Sequence, residues 1–322
     1  MKKRNLLCAM SLCVALLTGC QSNDSNLTQI GVVQFVSHEA LDQSRIGFVN
    51  ALKEEGYEDG KNVKFSFSNA QADHSALASI SSELASQSDL IFAIGTSTCQ
   101  QVAKETSTIP IVGAAITDYQ SAKLVKSNEK PETNVTGVSD FSSYEKQAQL
   151  IRELFPSATN LGIMYTSSEI NSETQAKEME KEAKKLGFNV MVKTVADATA
   201  INDTMTSFSG QIDVLYIPTD NILSSAMPSV VQSATAIEVP VIAGEFNQVS
   251  DGALASLGVN YEKLGEIAGH KAAKLLRNEI KVEEMEITFQ ETLDIYYNSK
   301  TARDLNLNLP TSIIKNGIDL GK

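Results

Sequence analysis

Apolar residues fall in short runs separated by polar clusters, and the runs come in matched pairs. Ile30 to Phe35 (IGVVQF) and Leu161 to Tyr165 (LGIMY) read as buried strands. Each passes through a polar loop into a helical pattern, Asp42 to Glu55 and Asn171 to Leu186. These patterns stop at Gly56-Tyr57 and Gly187-Phe188, where glycine suits the left-handed residue that closes a helix. Further strand pairs follow: Val63 to Ser68 with Val190 to Val195, Asp89 to Gly95 with Asp213 to Pro218, and Ile109 to Ala115 with Val239 to Gly244.

Matching positions keep nearly constant offsets: 131 for Gly31 to Gly162 and for Gly56 to Gly187, 124 for Asp89 to Asp213, 130 for Pro110 to Pro240. After the fourth strands, Thr136-Gly137-Val138 with Tyr144-Glu145-Lys146 echoes Leu257-Gly258-Val259 with Tyr261-Glu262-Lys263. The pattern predicts an α/β fold of two similar, doubly wound parallel-sheet lobes. Helices are expected over Ser143 to Leu154 and Tyr261 to Leu276, and strands over Glu286 to Phe289 and Asp294 to Tyr297. The last two cannot build a third lobe, so they are expected to return to the existing sheets through a multi-crossover hinge. The first lobe is then 30–139 plus about 261–289, and the second 140–260 plus about 290–322.

Charge and cysteine usage add an address. Lys2-Lys3-Arg4 precedes an apolar run from Leu6 to Leu17 of about 12 residues, against roughly 20 for a membrane span. This predicts a signal peptide over 1–19. Leu17-Thr18-Gly19-Cys20 resembles the lipobox of bacterial lipoproteins, which implies an acylated Cys20 at the mature N-terminus and a polar tether over 20–29. The 322-residue chain has 27 Lys+Arg and 39 Asp+Glu, a net charge of −12. Loss of the three leader cations gives 24 − 39 = −15, a surface that repels nucleic acid. Cys8 and Cys13 leave with the leader, so Cys99 is a lone thiol without a disulfide framework.

Ligands of open parallel sheets sit beyond the carboxyl ends of the strands. Two facing sheets make these loops the walls of a cleft that closes about a hinge. Gly95-Thr96-Ser97-Thr98 sets three hydroxyls where a helix begins, fit either to bind an anion or to cap the helix. Across from it the second-lobe loops carry Glu169 with Asn171 and Ser172, Asp220 with Thr219 and Asn221, and Glu245; Asp118 faces them from the first lobe. Such acids fit an ammonium group, acid–base chemistry, or ordinary capping. Phe35, Leu41, Tyr119, Phe141, Tyr165 and Phe246 flank these loops as stacking or core residues, and His38 sits in the first loop. The dinucleotide, P-loop and nucleophile-elbow motifs are absent.

A signal peptide with a lipobox, two repeated lobes, and the segments VVQFVSHEALDQSRIGFVNAL (32–52), AIGTSTCQQVA (93–103), PIVGAAITD (110–118), NVTGVSD (134–140), GIMYTSSEINS (162–172) and PTDN (218–221) resemble the ABC-transporter substrate-binding lipoproteins of the tryptophan/tyrosine uptake type. The resemblance covers about Ile30 to Leu305. It implies a type I periplasmic-binding-protein (Venus-flytrap) fold, no catalysis, no cofactor and no metal. It also implies a monomer held on the extracytoplasmic membrane face by Cys20, which delivers ligand to a permease with a cytoplasmic ATPase. By position, Thr96, Ser97 and Thr98 would take the ligand carboxylate. Asp118, Glu169 and Asp220 would be candidates for its ammonium, with Asn171, Ser172, Thr219, Asn221 and Glu245 as further cleft contacts. Phe35, His38 and Leu41 would line the side-chain pocket. An aromatic amino acid is the implied solute; a sugar or nucleoside binder, a ligand-sensing receptor on the same fold, and an exported hydrolase are the alternatives.

Overall fold

The computed structural model describes residues 27–290 and 292–321. The expected signal peptide, Cys20 and the expected tether up to residue 26 lie outside the described residues. Among those described, no helix is long and apolar enough to cross a membrane.

Thirteen strands, β1 (Thr28–Gln34), β2 (Val63–Asn69), β3 (Leu90–Ile94), β4 (Ile111–Ile116), β5 (Val135–Ser139), β6 (Asn160–Thr166), β7 (Asn189–Val195), β8 (Val214–Ile217), β9 (Val241–Ala243), β10 (Ala255–Gly258), β11 (Thr288–Phe289), β12 (Asp294–Tyr297) and β13 (Ile318–Asp319), form two sheets among the described residues. The first has the order β11-β5-β4-β3-β1-β2, and all its neighbours are parallel. The second runs β13-β12-β10-β9-β8-β6-β7, with only β10 and β12 antiparallel. Strands β3 (LIFAI) and β4 (IVGAAI) are buried at every position, as a sheet covered on both faces requires. The edge strands β2 and β7 instead have exposed positions, polar ones such as Ser66 and Thr194 but also Phe67 and Val192.

Leu27 to Gln29, expected in the tether, belong to the fold. Thr28 and Gln29 pair with Val63 and Lys64, and the Gln29 amide donates to Asp89 Oδ2 at 2.8 Å. Polarity hid this strand start, because hydrogen bonds rather than burial hold it.

Helices alternate with the strands: α1 (Glu39–Glu54), α2 (His74–Gln87), α3 (Thr96–Glu105), α4 (Tyr144–Leu154), α5 (Ile170–Lys185), α6 (Ile201–Thr206), α7 (Asn221–Ser225), α8 (Met227–Ala236), α9 (Phe246–Ser250), α10 (Tyr261–Leu276), α11 (Ser299–Asp304) and α12 (Thr311–Asn316). The chain passes from one sheet to the other after β5, after β10 and after β11. Helix α10, next in sequence to second-sheet strands, packs on α1 of the first lobe; Tyr261, Leu264 and Ala268 share a core with Ile30, Phe48 and Phe92. The crossings are tied by buried polar bonds: Ser142 Oγ to the Leu257 carbonyl (3.1 Å) and Tyr261 OH to Asp140 Oδ2 (3.1 Å).

Candidate functional site

Both sheets end their parallel strands toward the same inter-lobe space, and α1, α3, α5 and α9 begin there without side-chain caps. Gly95 opens α3 with φ +95, a left-handed conformation that favours glycine, and it offers the helix no capping side chain. Neither His38 at the start of α1 nor Glu169 at the start of α5 caps its own helix. By contrast α2, α4, α7, α10 and α11 start on Asp73, Ser143, Asp220, Asn260 and Asn298, whose side chains accept from backbone N–H groups. In the first turn of α3, Thr96 and Thr98 are buried, and both hydroxyls lack a protein partner. Ser97 beside them is half-buried.

Two inter-lobe hydrogen bonds join the walls. His38 Nε2 lies 3.3 Å from Asn221 Oδ1, and Gln175 Nε2 donates to Thr117 Oγ1 at 3.0 Å. Asn221 also stands beside Gly95, its Oδ1 4.0 Å from where a Cβ would be. Gln175 Oε1 accepts from the Thr219 amide at 3.0 Å, so Thr219 and Gln175 hold one another in the second lobe. At the end of β4, register shifts between Gly113 and Ile116, and Ala115 adopts φ +56. The irregularity falls immediately before Thr117 and Asp118, the wall residues of this strand.

The acids are engaged by donors of the protein itself. Glu169 accepts from the Asn221 amide (3.0 Å), Asn221 Nδ2 (2.6 Å), the Ile222 amide (3.0 Å) and Asn171 Nδ2 (3.2 Å). Asp220 accepts from Thr166 N (2.6 Å), Thr166 Oγ1 (2.8 Å) and Leu223 N (2.9 Å), tying β6 to α7. Glu245 accepts from the Ser224 hydroxyl. Asp118 accepts from the Gln120 and Ser121 amides and from Ser121 Oγ. Glu169, Asp220 and Asp118 are thus held by donors of their own lobes, while Glu245 also interacts with Tyr261 of α10. Burial raises the pKa of Glu169, Asp220 and Glu245, and for Glu169 the neighbouring Asp220 adds to it.

Phe35 and Leu41 pack in the first-lobe core rather than standing as pocket walls. Phe35 lies 4.7 Å from the His74 ring, and Leu41 joins Phe48 and Phe92. The reason is geometric: a strand-end or first-turn apolar side chain buries most area against its own sheet. Cys99 is buried too, and burial pushes its thiol pKa up, as for an inert core residue. Ser172 is buried and accepts from Asn171 Nδ2 at 3.2 Å.

A cavity of about 470 Å³ opens between the lobes, lined by Thr117, Asp118 and Phe289 of the first sheet's side and by Phe141, Tyr144, Thr174 and Glu178 of the second lobe. It adjoins a small space lined by Thr96 and Asn171, with Thr117, Asp118, Ser121 and Thr174 common to both. Phe141 stands 43% exposed and meets Tyr144 edge to face at 5.5 Å. Sequence reasoning passed over Thr117 and Gln175. Gln175 lies one turn beyond Asn171 and Ser172, so a polar stripe on α5 was its available signal. No cluster of three His, Cys, Asp or Glu side chains among the described residues is placed to hold a metal ion.

The model for ABC transporter substrate-binding proteins matches residues 29–319. The chain belongs to that family. A Clostridioides difficile protein named a tyrosine-binding protein is 40% identical over 317 residues, covering 94% of this chain and 92% of that protein. A Streptococcus pneumoniae ABC domain solved in complex with L-Trp superposes with a TM-score of 0.88 at 35% identity, covering 91% of this chain and 99% of the other. The ligand-free, open structure of a C. difficile substrate-binding protein with adhesive properties gives 0.70 at 42% identity and the same coverage. This chain shares the type I periplasmic-binding-protein architecture of both.

Proposed function

We propose that this substrate-binding protein captures an aromatic amino acid between its lobes, without chemical turnover, and delivers it to a permease driven by a cytoplasmic ATPase. Lipid on Cys20 would hold it on the extracytoplasmic membrane face. The observation that carries the reading is the start of α3: free helix amides with the buried, unpartnered hydroxyls of Thr96 and Thr98, at the meeting point of both lobes. Amides and hydroxyls at a helix N-terminus suit a carboxylate. Phe141, Tyr144 and Phe289 around the adjoining cavity give the ring apolar faces. At about 470 Å³ that cavity falls in the usual range for small-molecule sites, roughly 300–1,000 Å³. The names of the tyrosine-binding relative and of the L-Trp complex favour the same solute class.

A thermal-shift screen over amino acids, sugars and nucleosides tests this. L-tyrosine or L-tryptophan at a hundredfold excess over Kd should stabilise the protein by about 2.7 kcal/mol, seen as a higher Tm. A shift from sugars or nucleosides alone would reject the solute class.

A further inference from the structure

Resting on that reading, we infer that the ligand ammonium is received by the amide oxygen of Asn171, and that Glu169 acts as a positioning residue that aims it. Asn171 is buried, and its Nδ2 faces three acceptors: Glu169 Oε2 (3.2 Å), Ser172 Oγ (3.2 Å) and the Thr219 carbonyl (3.0 Å). Only one orientation of the amide satisfies them, because the reverse would set its oxygen against a carboxylate and a carbonyl. Asn171 Oδ1 is thereby turned away, buried and without a protein partner. It belongs to the same small inter-lobe space as Thr96, at the uncapped start of α3. An α-amino acid whose carboxylate sits on those amides carries its ammonium two bonds from the carboxylate carbon, in the space that Thr96 and Asn171 both line.

The acids are poorer acceptors for this purpose. Glu169 already takes four hydrogen bonds, two of them from Asn221, whose Oδ1 is in turn held toward His38. Asp220 and Asp118 accept three each from their own lobes. A buried acceptor with no partner costs free energy that a donor from the ligand recovers. Glu169 thus orients two asparagine amides with one carboxylate, and a neutral oxygen reads the positive charge.

Isothermal titration of L-tyrosine and L-tryptophan against their deamino analogues, 3-(4-hydroxyphenyl)propanoate and 3-(indol-3-yl)propanoate, tests the assignment. The parent should prefer the amino acids by about tenfold or more. Asn171→Leu and Glu169→Gln should lose most of that preference while binding the deamino acids within about threefold of the parent, a selective loss that general damage to the fold does not produce. A crystal structure of the parent with L-tyrosine should show the amino nitrogen within about 3.2 Å of Asn171 Oδ1 and beyond hydrogen-bond reach of Glu169; it keeps the test open should either variant fail to fold. Undiminished preference in Asn171→Leu, or a larger loss of preference in Asp118→Asn, overturns the inference. No binding of either amino acid by the parent would instead overturn the proposed solute class.

Discussion

His38 shows how one side chain acquires a definite protonation state. Asn221 Nδ2 is fixed on Glu169, so Asn221 presents its oxygen, and His38 Nε2 must be the donor. Burial pushes the His38 pKa down to about 4, against the opposing pull of the Asn221 bond and of Asp42, and leaves Nδ1 a buried acceptor without a partner. Opening the lobes breaks the Asn221 bond and returns the ring toward its ordinary value near 6.5. The closed state then binds fewer protons, its advantage is complete above about pH 6.5, and it is lost as pH falls toward 4. Ligand affinity should weaken on the order of tenfold from pH 7 to 5. Titration calorimetry at both pH values should find a flatter profile for His38→Gln. Comparing variant with parent separates this effect from Asp140, whose carboxyl burial pushes up to about 6, with the opposite sign. Thr96 and Thr98 were legible as anion-site or capping candidates because three hydroxyls follow a glycine at a strand end. Thr117 and Gln175 were not, because their meeting depends on which faces the lobes present.

Helix packing sets the next scale. Helices α1 and α10 approach until their backbones touch: a Cβ on Gly47 would stand 2.0 Å from the Glu262 carbonyl oxygen, and one on Gly265 would stand 2.0 Å from the Ser44 oxygen. Ser44 Oγ also donates to the Tyr261 carbonyl at 3.1 Å. This contact brings the chain back into the first lobe after β10, so it sustains the hinge as well as the core. Gly265→Ala should destabilise by about 3 kcal/mol, since the atom it meets is backbone and cannot swing aside. Urea unfolding with a lowered midpoint would register it; an unchanged midpoint would mean that the helices can part cheaply. The helices themselves were legible to within a few residues, because their apolar stripes repeat every 3.6 positions. The reversal of β12 was not, for a short return strand carries the same apolar signal in either direction.

Across the whole molecule, closure rests on few polar links over a cleft whose walls are complete within each lobe. Gln175 bridges Thr117 of one lobe and Thr219 of the other, so Gln175→Ala should favour the open arrangement. Small-angle scattering with saturating L-tyrosine or L-tryptophan should show a smaller decrease in radius of gyration than in the parent. Affinity should fall roughly five- to tenfold, the worth of about one neutral hydrogen bond. Matching scattering curves for variant and parent would mean that closure is carried elsewhere, as at His38 and Asn221.

The sequence by itself determined the two repeated lobes, their strand–helix alternation and the loops that wall the cleft. Those features follow from burial periodicity, which each local segment carries in its own residues. Tertiary structure decided which polar groups of those loops remain available. Glu169, Asp220, Glu245 and Asp118, candidate ligand contacts in sequence, each accept from donors of the protein, and Asp118 also lines the cavity. The oxygen of Asn171 and the hydroxyls of Thr96 and Thr98 stay unpartnered. A polar atom's satisfaction depends on neighbours distant in the chain, and only the folded backbone brings them within 3 Å or so of one another.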